Sequence, residues 1–205
     1  MRRDDLVLHL LFLAVLLVLG AIRLWYYRRQ RRGLGLMALK KQETLNELRQ
    51  LGAMVACLLI VAHILSPDLL AWTEFPLFRL ARWIGAVIAV LAAIACGFAA
   101  RDELLIAQHS SHTRFDPPGM LRWVRHPLEL ALVVVALGLT LVSANWVVAL
   151  IAGALGSHEV FVRAPRADRE RRARLGKAYE AYARVTPAFL PRPFRPVLPD
   201  AREQD

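Results

Sequence analysis

The chain has 205 residues, 57% of them hydrophobic, and a formal charge of +10, with a mean hydropathy of +0.39. A soluble domain is about 45–50% apolar; the excess here falls in blocks long enough to cross a bilayer, about 20 residues each, which excludes a soluble enzyme on an anchor and predicts an all-α integral membrane protein of one compact unit. The basic residues flank those blocks, where topology and anionic lipid account for them, and this excludes nucleic acid as a partner.

The first predicted span is Leu6 to Trp25. Its apolar part, Leu6 to Leu19, has the make-up of a signal-peptide core. Arg23, Tyr26, Tyr27 and a basic run follow it with no small-residue cleavage site, so it reads as an uncleaved helix. The loop after it carries Arg28, Arg29, Arg31, Arg32, Lys40, Lys41 and Arg49. Within it, Leu36 to Leu51 has apolar residues at helical spacing, fit to lie along the interface or to extend the second span, Leu51 to Leu70. Trp72, Phe75 and Phe78 make an interfacial belt ahead of the third span, Arg82 to Ala100.

A polar connector, Arg101 to Val124, leads to Leu128–Val162, which is too long for one ordinary span. Ser143-Ala144-Asn145-Trp146 lies near its middle. Ser and Asn suit a tight turn and Trp an interface, so the expectation is a helical hairpin and about five membrane helices in all. From Arg163 a basic amphipathic helix runs to about Tyr182, ahead of Pro187, Pro191, Pro193, Pro196 and Pro199. Residues 1–100 thus hold three spans and a basic loop; residues 101–205 hold the connector, the hairpin and the tail.

Lys and Arg concentrate in the first loop, the connector and the tail, whereas the other side has Arg2, Arg3, Arg79 and Arg82. The positive-inside rule then puts the N-terminus outside and the tail in the cytoplasm, as for a bacterial inner-membrane protein. Connector and tail share one face, where a common site can form. Cys57 and Cys96 lie in apolar segments and read as inert thiols. His9, His63, His109, His112 and His158 lack the spacing of a metal site, so no metal is expected. No Gly-rich phosphate loop and no GxSxG elbow occur.

The stretch Gly119-Met120-Leu121-Arg122-Trp123-Val124-Arg125-His126-Pro127 stands at the mouth of the fourth apolar segment. His126 precedes a proline and is pushed out of the helical region. Pro127 suits the first helical turn, whose free N–H groups carry a positive dipole end. With Arg125 and His126 this is a cradle for a carboxylate or polar ligand; the plainer reading is an interfacial anchor. Glu129 lies one turn inside the apolar helix, where a carboxylate needs a partner. Arg125, four residues back, is one candidate; a surface-level glutamate that snorkels or pairs with Arg122 is the other reading. Arg163 sits at the membrane boundary, with Asp168 and Glu170 beyond it, a pattern that also suits a solvated, salt-bridged helix end.

In order, Gly119, Arg125-His126-Pro127, Gly138, Asn145, Arg163, Asp168, Leu175-Gly176, Tyr179, Tyr182, Pro187 and Leu190-Pro191 resemble the pattern of the isoprenylcysteine carboxyl methyltransferases and the related phospholipid methyltransferases. The resemblance covers roughly His112 to Pro191. It implies S-adenosylmethionine as cofactor at the cytoplasmic membrane face. Arg125, His126, Pro127, Glu129, Glu170, Tyr179 and Tyr182 would contact it, with Arg163 and Asp168 at the methyl acceptor, a lipophilic small molecule or lipidated substrate drawn from the membrane lipid. The departures are Leu121 and Glu129 at family tyrosines, Ala167 at one carboxylate of the acidic pair, and Leu175 at an aromatic position. Methyl transfer to a carboxylate needs a cation to hold the acceptor and no base, and Arg163 suits that role. An amine acceptor would need Glu129 or Asp168 as base. Two other readings stay open: a non-catalytic membrane scaffold of the same fold, and a sterol-reductase-like enzyme that uses NADPH.

Overall fold

Residues 3–33, 72–108 and 116–190 are described by the structure, a computed structural model. The expected second span, the interfacial stretch before it, Cys57, His63, His109, His112 and the prolines from Pro191 onward lie outside them. The described residues are mostly helical and hold no strand. In chain order they form α1 (Arg3–Gly33), α2 (Arg79–Gln108), a 3-10 turn (Gly119–Arg122), α3 (Pro127–Ser143), α4 (Trp146–His158), a π turn (Glu159–Arg163), α5 (Ala164–Leu175) and α6 (Lys177–Val185).

Among the described residues three helical stretches are long and apolar enough to cross a membrane: Leu6–Tyr26, Arg79–Ile106 and Trp146–Leu175. Leu10 and Leu17 of α1, and Leu91, Ile94 and Phe98 of α2, are more than half exposed. Helices that are apolar on their outer as well as their inner faces suit a lipid environment. On α1 the inner face is Leu8, Phe12 and Val15, spaced one helical turn apart and buried.

Helices α1 and α2 run parallel. Leu8 and Phe12 lie near Arg82 at the start of α2, and Tyr26 reaches Glu103 near its end. Helix α2 meets α3 through small residues: Ala86, Ala89, Ala93 and Cys96 are buried, and the backbones nearly touch at Gly85 and Gly138. A Cβ on Gly138 would sit 2.8 Å from both the Ala89 nitrogen and the Gly85 oxygen. Close approach of this kind replaces the hydrophobic drive that lipid removes.

At the end of α3, Ala144 adopts a left-handed conformation (φ 48°) and Asn145 caps α4. The Asn145 Oδ1 accepts from the N–H groups of Val147 (2.9 Å) and Val148 (3.3 Å), and its amide donates to Thr73 Oγ1 at 2.5 Å. Phe75 N–H donates to the Ala144 carbonyl at 2.9 Å, and Arg82 Nε to that of Val142 at 3.0 Å. Trp72 and Trp146 meet edge to face. The belt residues and this turn thus share one end of the molecule.

Three boundaries differ from the sequence reading. Helix α2 continues past Ala100 to Gln108. Arg163 does not start the tail helix: α4, the π turn and α5 follow one another without interruption. The tail helix itself is broken at Gly176, whose φ of 56° cannot continue a helix.

Candidate functional site

The connector is pinned to the end of α2. Gly119 has φ +48°, and a Cβ there would overlap the Asp102 carboxylate, which accepts from Met120 N–H at 2.8 Å. Two residues later, Leu121 is buried with Ile106, Leu175, Tyr179 and Tyr182. Tyr182 Oη donates to the Leu121 carbonyl at 2.7 Å. His126 then caps α3 in a non-helical conformation with Pro127 in the first turn. The N–H groups of Arg125 and His126 donate to the carbonyls of Pro187 (2.9 Å) and Ala188 (3.1 Å), and Phe189 lies against the His126 ring, centroids 5.5 Å apart.

Around this segment charges from α2, α3, the π turn and α5 converge. Arg125 NH1 donates to Asp168 Oδ2 at 2.7 Å. The other oxygen, Oδ1, accepts from Tyr179 Oη at 2.5 Å and lies 3.1 Å from His126 Nε2. The second His126 nitrogen, Nδ1, faces Glu129 Oε2 at 3.9 Å. Glu129 Oε1 lies 4.0 Å from Arg163 Nε, and Arg163 NH1 donates to Glu159 Oε2 at 3.0 Å. Arg171 spans from Glu103 Oε1 (3.1 Å) to the Arg125 carbonyl (2.9 Å), and Tyr26 Oη donates to Glu103 Oε2 at 3.3 Å. The π turn is what aims Arg163 and Glu159 at α3; such turns often mark functional sites.

The structure brings Arg125, His126, Pro127, Glu129, Arg163, Asp168 and Tyr179 together, with Tyr182 beside them. It corrects their pairing. Glu129 is not paired with Arg125, because Arg125 precedes the helix and the i,i+4 relation does not hold there. Nor does Glu129 snorkel toward Arg122: it is 1% exposed, and Arg122 bonds the Pro117 carbonyl and faces Asp116. Asp168 turns to Arg125 and His126, not to Arg163. Glu170 is exposed and pairs with Arg166 at 3.6 Å; two residues past Asp168 it lies about 200° round the helix and outside the cluster. Glu103, Arg171, Glu159 and Tyr26 belong to the cluster and escaped the sequence reading. Their signals were an acidic pair, Asp102-Glu103, ending an apolar helix, and an arginine three residues after Asp168 on the same helical face.

His126 and Glu129 are each about 1% exposed. Their facing atoms, Nδ1 and Oε2, have no hydrogen-bond partner, nor does Arg125 Nε. A gap of 3.9 Å is too long for a direct hydrogen bond, and buried polar atoms of native proteins are nearly always satisfied. These atoms are available to a ligand that carries both donors and acceptors. Carboxylates also outnumber guanidinium groups: Glu103, Glu129, Glu159 and Asp168 face Arg125, Arg163 and Arg171. Such a cluster suits a ligand that brings positive charge. Tyr179 is pushed from the ordinary phenol range up to about 12, by burial first and then by its hydrogen bond to Asp168; burial likewise raises Tyr182. Both phenols stay protonated and act as donors at neutral pH. No family model matches this chain, and none of the curated proteins compared with it is a match.

Proposed function

We propose that the chain is a membrane-embedded, S-adenosylmethionine-dependent methyltransferase acting on a lipophilic acceptor that presents a carboxylate. The observation that carries this reading is the buried pair of unpartnered atoms, His126 Nδ1 and Glu129 Oε2, at the point where Arg125, Asp168 and Arg163 converge. The sequence resemblance from Gly119 to Pro191 names the cofactor. Five membrane helices follow from the three long apolar stretches, the expected Leu51–Leu70 span, and α3 folded back beside α4 as one hairpin. The N-terminus lies outside and α5 and α6 lie in the cytoplasm, since the basic residues crowd that end.

The cofactor, when bound, supplies a methyl group on a positively charged sulfur. Arg125 and His126 would hold its carboxylate and Glu129 its ammonium, through the atoms that have no partner within the protein. Tyr179 keeps Asp168 oriented. Arg163 keeps N–H donors beyond those engaged by Glu159, and its planar fork would hold the acceptor carboxylate. No proton needs to leave such an acceptor, whose pKa is about 3.5.

Pro187 to Phe189 cover His126, and this favours a second reading, a non-catalytic scaffold of the same fold. Calorimetry with S-adenosylmethionine on the full chain in nanodiscs separates the two. Saturable binding that His126→Ala weakens at least about tenfold, the loss of one charge-assisted contact, is the expected result. Folded wild-type protein that takes up no S-adenosylmethionine, or that takes up NADPH in its place, rejects the methyltransferase reading.

A further inference from the structure

We infer that Arg171 and Glu103 are positioning residues of the site: together they lock the peptide plane that joins Arg125 to His126. The inference rests on the ligand-binding reading of the His126 cluster and adds two residues that no motif marked.

The Arg125 carbonyl and the His126 N–H belong to the same peptide unit. Arg171 NH1 donates to that carbonyl at 2.9 Å, and the N–H of the same unit donates to the Ala188 carbonyl at 3.1 Å. The plane is therefore held from both edges. A peptide plane so held fixes where the Arg125 and His126 side chains leave the backbone, and both of them meet at Asp168. Arg171 follows Asp168 by three residues on α5, so one helical face grips the segment twice, by its side chains and by its backbone.

Glu103 sets where Arg171 points. Its Oε1 takes the second guanidinium nitrogen at 3.1 Å, and its Oε2 accepts from Tyr26 at 3.3 Å. Both side chains are less than a tenth exposed. A buried ion pair gives little net stability compared with apolar residues of the same volume. Its planar fork does give direction: one nitrogen for the α2 carboxylate, one for the peptide carbonyl. Helices α1, α2 and α5 are thus tied to the segment that carries His126, and a shift of α2 would be passed to the His126 ring.

The test uses Arg171→Met, Glu103→Gln and the exchange Glu103→Arg with Arg171→Glu, each as full-length protein in nanodiscs. Three quantities are measured: thermal stability, hydrogen exchange at the Arg125 and His126 amides, and S-adenosylmethionine affinity. Arg171→Met should speed exchange at those two amides and weaken the affinity by about tenfold, as loss of an orienting partner does elsewhere. Glu103→Gln keeps an acceptor for Arg171 but removes its counter-charge, so it should do the same to a smaller degree with some loss of stability, and it carries the test if Arg171→Met does not fold. The charge exchange restores the pair, so stability recovers. Exchange and affinity do not recover, because a glutamate at position 171 has no donor for the Arg125 carbonyl. The inference is overturned if the charge exchange restores all three, or if none of the variants alters amide exchange. If the wild type itself takes up no S-adenosylmethionine, the methyltransferase reading fails, and amide exchange still decides the role of Arg171.

Discussion

Asp168 shows how one carboxylate can organise three side chains. Arg125 takes one oxygen; Tyr179 and His126 share the other. The Tyr179 phenol belongs to this arrangement only while it keeps its proton. Its pKa is higher in the folded protein than in the unfolded chain, so its contribution is complete below about pH 10 and is lost as pH rises toward about 12. An alkaline titration followed by tyrosinate absorbance and thermal melting should show stability falling in that window. Tyr179→Phe should make the fall shallower and cost about 1 kcal/mol at neutral pH, one hydrogen bond's worth; an unchanged alkaline profile would remove Tyr179 from the account. Residue types and spacing were enough to single out Arg125, His126, Glu129, Arg163 and Asp168. Their partners were not legible, because a pairing rule for helical neighbours fails for Arg125, which lies before the helix that starts at Pro127, and because Glu103 lies too far away in sequence for any spacing to connect it to Arg171.

At the scale of elements, the crossing of α2 and α3 depends on the absence of side chains. Gly138→Val puts its Cβ into the backbone of Ala89 and Gly85, atoms that cannot rotate aside. Thermal unfolding in detergent should register a loss of about 1–3 kcal/mol, the usual cost of overpacking. The same substitution at Gly153, where an added Cβ meets nothing within 4 Å, should stay within a few tenths of a kcal/mol. Equal losses at the two glycines would mean that the crossing does not set the cost. Apolar blocks identified the elements well: Leu6–Trp25 became the apolar part of α1, and Arg82–Ala100 the middle of α2. Their ends were less legible. Asp102 and Glu103 look like the start of a polar connector, yet the helix continues through them because Met120 N–H and Arg171 satisfy both carboxylates.

Taken whole, the described molecule has two unlike ends. One holds the Trp72–Trp146 contact and the Asn145 turn; the other holds every member of the charged cluster. The proposed orientation can be checked with single cysteines on a background freed of Cys57 and Cys96. Phe78→Cys, at an exposed position, should react with an impermeant thiol reagent in intact cells, and Arg169→Cys only after permeabilisation. The reverse pattern would invert the topology and place the cluster outside. Composition alone determined that the chain is helical and suited to lipid, since blocks of about 20 apolar residues have few other ways to satisfy their backbones. The order of residues determined that Arg125, His126 and Pro127 stand at a helix start. Only the tertiary structure decided which charges meet, because burial of Glu103 and Glu129 obliges each to find a partner, and Glu103 finds Arg171 on a helix distant in sequence.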